Sequence, residues 1–217
     1  METAISISNI MNTLSVLSIS NKRLIADNLY KQIERESLSA SKNADKKWIE
    51  DFLAMPHDYE QTADEAKDNI LKNRQFGVTR IIKDLMYLLD TNILIEFMHG
   101  NERVIEHIVN AGISKCSISI ISIYELFFGA HHAPKKYKEQ ELARVEKIYS
   151  HFDVKPLPIN ANIYASAKQY LIENGQAIDD FDILIAATAI DSNITVVTDN
   201  EKHFNRIPNL KIENWLR

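Results

Sequence analysis

Cysteine is nearly absent from this 217-residue chain: Cys116 stands alone. One thiol can form no intrachain disulfide and no thiolate metal cage, so an intracellular, cytoplasmic home is expected. Long apolar runs are missing as well. Even the most apolar stretch, Ile183 to Ile190, is too short to cross a bilayer and follows Asp182. The first residues, Met1-Glu-Thr-Ala, lack the cationic start and apolar core of a secretory leader. A soluble protein with no membrane partner is the expectation. Positive charge is in deficit, with a formal net charge of −5. That argues against a general nucleic-acid clamp, which needs accumulated positive charge, but not against an enzyme holding cations in an acidic pocket. Glycine and proline are scarce at the front, where residues 1–85 contain only Gly77 and Pro56.

Sequence so poor in glycine and proline favours helices over a turn-rich sheet. Ser20 can cap a helix in which Leu24, Ile25, Asn28, Leu29, Gln32 and Ile33 fall largely on one face. Asp45 to Met55 carries Trp48, Ile49, Phe52 and Leu53, a second amphipathic stretch that Pro56 ends. Thr62-Ala-Asp-Glu65 reads as a capping box for a third helix with Ala66 and Ile70, and Arg74 to Leu85 as extended chain broken at Gly77. These apolar residues sit on separate short elements and cannot make a core alone. Residues 1–85 therefore read as a mainly helical arm that folds against something.

From Met86 the texture changes. Strands at Met86–Leu89, Lys115–Ile120, Val154–Leu157 and Ile194–Val197 alternate with helices at Ile93–Asn110, Ser122–His132, Pro134–Phe152, Asn160–Asn174 and Asp180–Ser192, before a short Leu210–Ile212. Such alternation predicts an α/β domain over 86–217, a parallel sheet flanked by helices. Met86 itself reads as a start residue, so this domain could stand as a complete protein.

Acidic residues mark the points where its strands end or its helices begin. Asp90 follows the first strand, Glu125 lies a turn into the helix after the second, Asp182 opens the apolar helix and Asp199 follows the strand Ile194–Val197. In a parallel sheet those points gather on one edge. Each acid has an ordinary explanation: Glu125 can complete a capping box with Ser122, Asp182 can serve a helix N-terminus, and Asp199 can form a turn. As a set they would repel one another unless cations neutralise them, which points to hard divalent ions. Mg²⁺ or Mn²⁺ suits oxygen-only ligands, and no Cys or His accompanies the acids to suggest zinc. One or two such ions could promote phosphodiester cleavage, with Thr91, Asn92, Ser122 and Thr198 as supporting donors.

Leu88-Leu-Asp-Thr-Asn-Ile93, Ser122-x-x-Glu-Leu, Gly175-x-x-Ile-x-x-x-Asp-Ile-Leu-Ile-Ala-Ala-Thr-Ala189 and Val197-Thr-Asp-Asn-x-x-His-Phe204 resemble, in order, the motifs of PIN-domain ribonucleases of the VapC toxin type. The resemblance implies a Mg²⁺-dependent endoribonuclease with Asp90, Glu125 and Asp182 as its acidic triad. It departs in one place: the family's fourth acid stands two residues after the threonine, where this chain has Asn200, leaving Asp199 as a ligand through water. Asp179 and Asp180 are expected to cap.

The arm has a looser likeness. Trp48-Ile-Glu-Asp-Phe52, Thr62-Ala-Asp-Glu65 and Arg74-Gln-Phe-Gly-Val-Thr-Arg80 resemble the toxin-wrapping part of the antitoxins that accompany such nucleases. A fused pair is implied, its arm masking the site in cis or exchanged between chains of a homo-oligomer. An arginine, Arg74 before Arg80, would enter the acidic pocket, because guanidinium is permanently charged and matched to carboxylates. Antitoxins often bind their own promoter DNA; Lys22, Arg23, Lys31 and Arg35 are the candidates here. RNA is expected to enter along His131 to Lys138, where Lys135, Lys136 and Lys138, with Arg144 beyond, would meet phosphates. Phe127, Phe128, Tyr164 and Tyr170 are assigned to core or dimer contact. Two rivals stand: a phosphotransfer enzyme such as a haloacid-dehalogenase-like phosphatase, disfavoured because Asn92 holds the place of its second Asp, and a non-catalytic DNA-binding autorepressor.

Overall fold

The strand that delivers Asp90, β1 (Tyr87–Leu89), is the middle of a five-stranded sheet. In the computed structural model, which describes residues 19–56 and 86–217, it is joined by β2 (Cys116–Ser119), β3 (Asp153–Lys155), β4 (Thr195–Val197) and β5 (Ile212–Glu213). The spatial order is β3-β2-β1-β4-β5 and every pairing is parallel. The chain builds outward from β1 to β3, then returns to place β4 on the other side of β1. That reversal opens a crevice between β1 and β4 at the C-terminal edge, where open α/β sheets bind their ligands.

Both faces of the sheet are covered, and the apolar runs show why. Neighbouring residues of a strand point to opposite faces. Leu88 and Val196 join one core, with Ile183, Ala186 and Ala189 of α7 (Asp180–Ser192) and Ala167 and Leu171 of α6 (Ala161–Glu173). Leu89 and Val197 join the other, with α2 (Thr91–Met98), α3 (Glu102–Ala111), α4 (Ile120–His132) and α5 (Lys138–His151). A final short helix, α8 (Glu201–Phe204), follows β4.

The expected α/β architecture of the second domain is observed, and two expected helices, one in each part of the chain, are revised. Ile93–Asn110 is not one helix: Gly100, at φ +80°, turns the chain, and Asn101 caps α3 by accepting from the Arg103 and Val104 N–H groups. The two amphipathic stretches expected before Pro56 form a single helix, α1 (Ile19–Leu53). Nothing between them can break it, since Ser37 to Ala44 holds no glycine or proline. The segments expected at 62–71 and 74–85 lie outside the described residues.

The chain divides into two compact units at Ala44/Asp45, whereas the change in sequence texture comes at Met86. In the first unit the side chains described from Gln32 to Ala44 are exposed, Ile33 and Leu38 among them. In the second, Ile49, Phe52 and Leu53 are within 2 % of full burial, in the core that holds Leu89 and Phe97. Each such side chain contributes roughly 1.5–3 kcal/mol before entropy is counted. Trp48 stacks on Phe52 (5.4 Å) and His151 (4.0 Å), and Phe52 on Phe97 (5.3 Å). Asp45 Oδ2 accepts the Ile113 N–H at 2.9 Å. Arg144, fully buried, lies over the Phe52 ring and donates to Met98 O (2.6 Å) and Met55 O (3.3 Å). Met98 ends α2 and Met55 follows the end of α1, where negative potential favours a cation.

Candidate active site

Asp90 leaves β1 and starts α2 in one residue. Its N–H donates to Val197 O of β4 (3.0 Å), its Oδ1 caps α2 by accepting the Thr91 N–H (2.8 Å), and its Oδ2 accepts from Thr198 Oγ1 (2.7 Å). Thr198, the residue after β4, is wholly buried. Asp90 and Thr198 thus join across the crevice between β1 and β4. Only 5 % of Asp90 is exposed. Burial raises its carboxyl to about 6; the Thr198 and Thr91 hydrogen bonds oppose this, and the charges of Asp182 and Glu125 add to it.

Glu125, half-buried on α4, is also raised, first by burial and then by Asp182 and Asp179, against a hydrogen bond from the Thr91 hydroxyl. Of the three carboxylates expected from the sequence, Asp182 and Glu125 thus lie near enough for their charges to act on Asp90, and Asp182 near enough to act on Glu125. Capping accounts for only part of this. Helix α4 begins at Ile120 and is capped by Ser119, which accepts the Ile121 N–H (3.2 Å), so Glu125 completes no box with Ser122. Ser122 Oγ is instead buried with no hydrogen-bond partner among the described residues. Helix α7 is capped by Asp179, which accepts the Phe181 N–H (2.8 Å). Asp182 is left for other partners, and Asp180 pairs with Lys168 (2.7 Å).

Those partners include a group that sequence reasoning passed over. Asp182 Oδ2 lies 2.7 Å from His203 Nδ1 and accepts from Asn200 Nδ2 at 3.4 Å. An imidazole does accompany the acids. The signal was the spacing Asp199-Asn-x-x-His203, which puts the ring one turn beyond the strand end. Asp199 stands apart: it is exposed, its Oδ1 accepts from Asn214 Nδ2 (3.0 Å), and it is not among the charges acting on Asp90 or Glu125. Asn92 bridges the two strand ends, donating to Thr198 Oγ1 and accepting the Asp199 N–H, both at 3.4 Å.

Asp90, Glu125 and Asp182 present only oxygen, and a hard dication fits that donor set. Among the described residues, no three His, Cys, Asp or Glu side chains are grouped so that they could hold a metal ion as they stand. Thr91, Thr198 and His203 occupy one oxygen each of Glu125, Asp90 and Asp182. Lys135 and Lys136 are exposed and Lys138 partly so, whereas Arg144 is buried and tied to Met98 and Met55, so it cannot meet phosphates. Phe127 and Tyr164 pack partly buried against the cores, while Phe128 and Tyr170 are exposed. On α1, Lys22 and Arg35 are exposed. Arg74 and Arg80 lie outside the described residues. No described helix is long and apolar enough to cross a membrane.

A parallel α/β sheet with a carboxylate group at its switch point defines the class of protein. The particular family follows from comparison: residues 87–210 match the PIN domain, and the chain belongs to that family. Over 133 residues it is 32 % identical to the ribonuclease VapC2 of Haemophilus influenzae, spanning 61 % of this chain and 99 % of that protein. It is 32 % identical over 132 residues to the tRNA(fMet)-specific endonuclease VapC of Salmonella typhimurium, spanning 60 % and 98 %. Among solved structures it is similar, at TM-score 0.56 and 30 % identity, to VapBC2 from Rickettsia felis bound to a promoter DNA fragment, over 60 % of this chain and 99 % of the matched one. DNA-bound VapBC from Salmonella typhimurium matches with the same score and identity, over 61 % and 99 %.

Proposed function

We propose that the chain is a VapC-type endoribonuclease of a toxin–antitoxin system, dependent on Mg²⁺ or Mn²⁺ held by Asp90, Glu125 and Asp182. The observation that carries this is Asp90: an acid at the sheet's switch point, buried and raised to about 6 with Glu125 and Asp182 contributing. The names of the similar proteins support ribonuclease chemistry. When bound, the cation would supply Lewis acidity for phosphodiester hydrolysis. The chain's own residues prepare for it: Thr198 and the Thr91 N–H orient Asp90, and the Thr91 hydroxyl holds Glu125. Asp199, tied to Asn214, would act at most through water. Lys135, Lys136 and Lys138 would add a modest, salt-dependent attraction for RNA.

The first 85 residues act, in this proposal, as the antitoxin of a fused pair. Support comes from Trp48, Ile49 and Phe52, which belong to the stretch that resembles toxin-wrapping antitoxin sequence and pack in or against the core. Arg74 or Arg80 would then mask the acids, in cis or exchanged within a homo-oligomer, and basic residues near Lys22 and Arg35 would contact promoter DNA. DNA-bound VapBC assemblies among the similar structures support the last point. The test uses the full chain with Arg74 and Arg80 both replaced by alanine, and end-labelled RNA. Cleavage that needs Mg²⁺ and is lost on Asp90→Asn is expected. Cleavage indifferent to Asp90, or equal activity with and without the two arginines, would overturn the catalytic and the masking statements respectively. A gel shift with upstream DNA checks promoter binding.

A further inference from the structure

Asp90 and Asp182 are held in different ways. Asp90 is pinned by a backbone N–H and a buried hydroxyl. Asp182, in the first turn of α7, gives up the cap to Asp179, and among the described residues its partners are two side chains, His203 and Asn200. A carboxylate bonded to no backbone group is free to rotate unless those side chains stop it. Its oxygens are also not equivalent. His203 Nδ1 lies 2.7 Å from Oδ2, and an ionised carboxylate only accepts, so Nδ1 carries the proton. Asn200 Nδ2 lies 2.8 Å from the same Nδ1, a contact that would suit the other tautomer, and 3.4 Å from Oδ2; the shorter, charge-assisted contact to the carboxylate selects the proton on Nδ1. Oδ2 is thus engaged, and Oδ1 remains.

We propose that His203 is a positioning residue of the acidic centre: its Nδ1–H holds Asp182 Oδ2 so that Oδ1 alone is presented to the divalent cation. This rests on the metal-dependent reading above. With His203 and Asn200 in these places, Asp182 is a one-oxygen ligand. Groups that orient ligands in this way change metal affinity or activity about 10–100-fold when removed.

The experiment measures Mn²⁺ binding by electron paramagnetic resonance and thermal melting on the full chain with Arg74 and Arg80 replaced by alanine. His203→Ala is expected to weaken Mn²⁺ binding by about 10–100-fold with little change in melting temperature. His203→Asn, whose Nδ2 can stand where Nδ1 stood, is expected to recover much of that loss. Nitrogen shifts of the His203 ring in the metal-free chain should show Nδ1 protonated. Mn²⁺ affinity unchanged in His203→Ala, an Nε2–H tautomer, or equal losses in both variants together with a lowered melting temperature would overturn the positioning role. If the parent chain binds no Mn²⁺ and Asp182→Asn alters nothing, the metal reading itself falls, and this one with it.

Discussion

Two regions of the second unit use burial for opposite ends. Around Trp48, Phe52, Phe97 and Arg144 the buried groups satisfy one another: rings stack, and the guanidinium finds carbonyls and a ring face. At the edge between β1 and β4 the buried group is a carboxylate beside two others, and burial there works against its charge. The first region holds the domain together. The second keeps a carboxylate where burial disfavours its charge, the kind of arrangement found more often at functional sites than in cores.

Phe52→Ala should break the comparison on the stabilising side with the largest effect. Removing a buried ring that meets Trp48, Phe97 and Arg144 is expected to cost about 3–5 kcal/mol in urea unfolding of the full chain. A loss below about 1 kcal/mol would mean that the end of α1 is not part of this core.

Asp90→Asn should act in the other direction. A carboxyl raised from 3.8 to about 6 contributes stability in full below pH 3.8 and loses it as pH rises to about 6, so above that range the charged form burdens the fold. At about 1.36 kcal/mol per unit, the metal-free variant should be up to about 3 kcal/mol more stable than the parent at pH 7, with the gap closing by pH 4. Cleavage should fall at least about 100-fold. Equal stability of the two chains at pH 7 would show that Asp90 is not strained.

Thr198→Val removes the hydroxyl that serves Asp90 Oδ2. Hydrogen bonds to charged groups contribute about 1.5–3 kcal/mol, and a loss of that order at pH 7, smaller at pH 4, is expected in thermal melts. A loss of equal size at both pH values would assign Thr198 to packing alone. The smallest effect belongs to Asp199→Asn. Exposed and bonded to Asn214, it should change stability by less than about 0.5 kcal/mol and leave most cleavage intact. A loss matching that of Asp90→Asn would return Asp199 to the acidic group.

Strand and helix positions in the second domain were readable because apolar runs of three or four residues alternate with periodic segments; α7 was placed at its observed bounds, Asp180–Ser192. The convergence of Asp90, Glu125 and Asp182 was readable too, because a parallel sheet brings strand ends to one edge. Other features were not. Ser122 looked like a cap because Ser-x-x-Glu is a local signal, yet the helix starts at Ile120, where Ser119 serves it better. Arg144 looked like an RNA contact because it follows three lysines, and nothing local shows that its helix turns it toward Met55 and Met98.

Residue order alone thus determined the parallel α/β architecture and the edge that carries the acids, since period and strand-end position are properties of the chain's own geometry. Tertiary structure alone decided that Asp199 turns to Asn214, that His203 joins Asp182 and that the end of α1 enters the core. Those outcomes depend on contacts between segments distant in sequence, whose energies are settled only when the segments compete for the same partners.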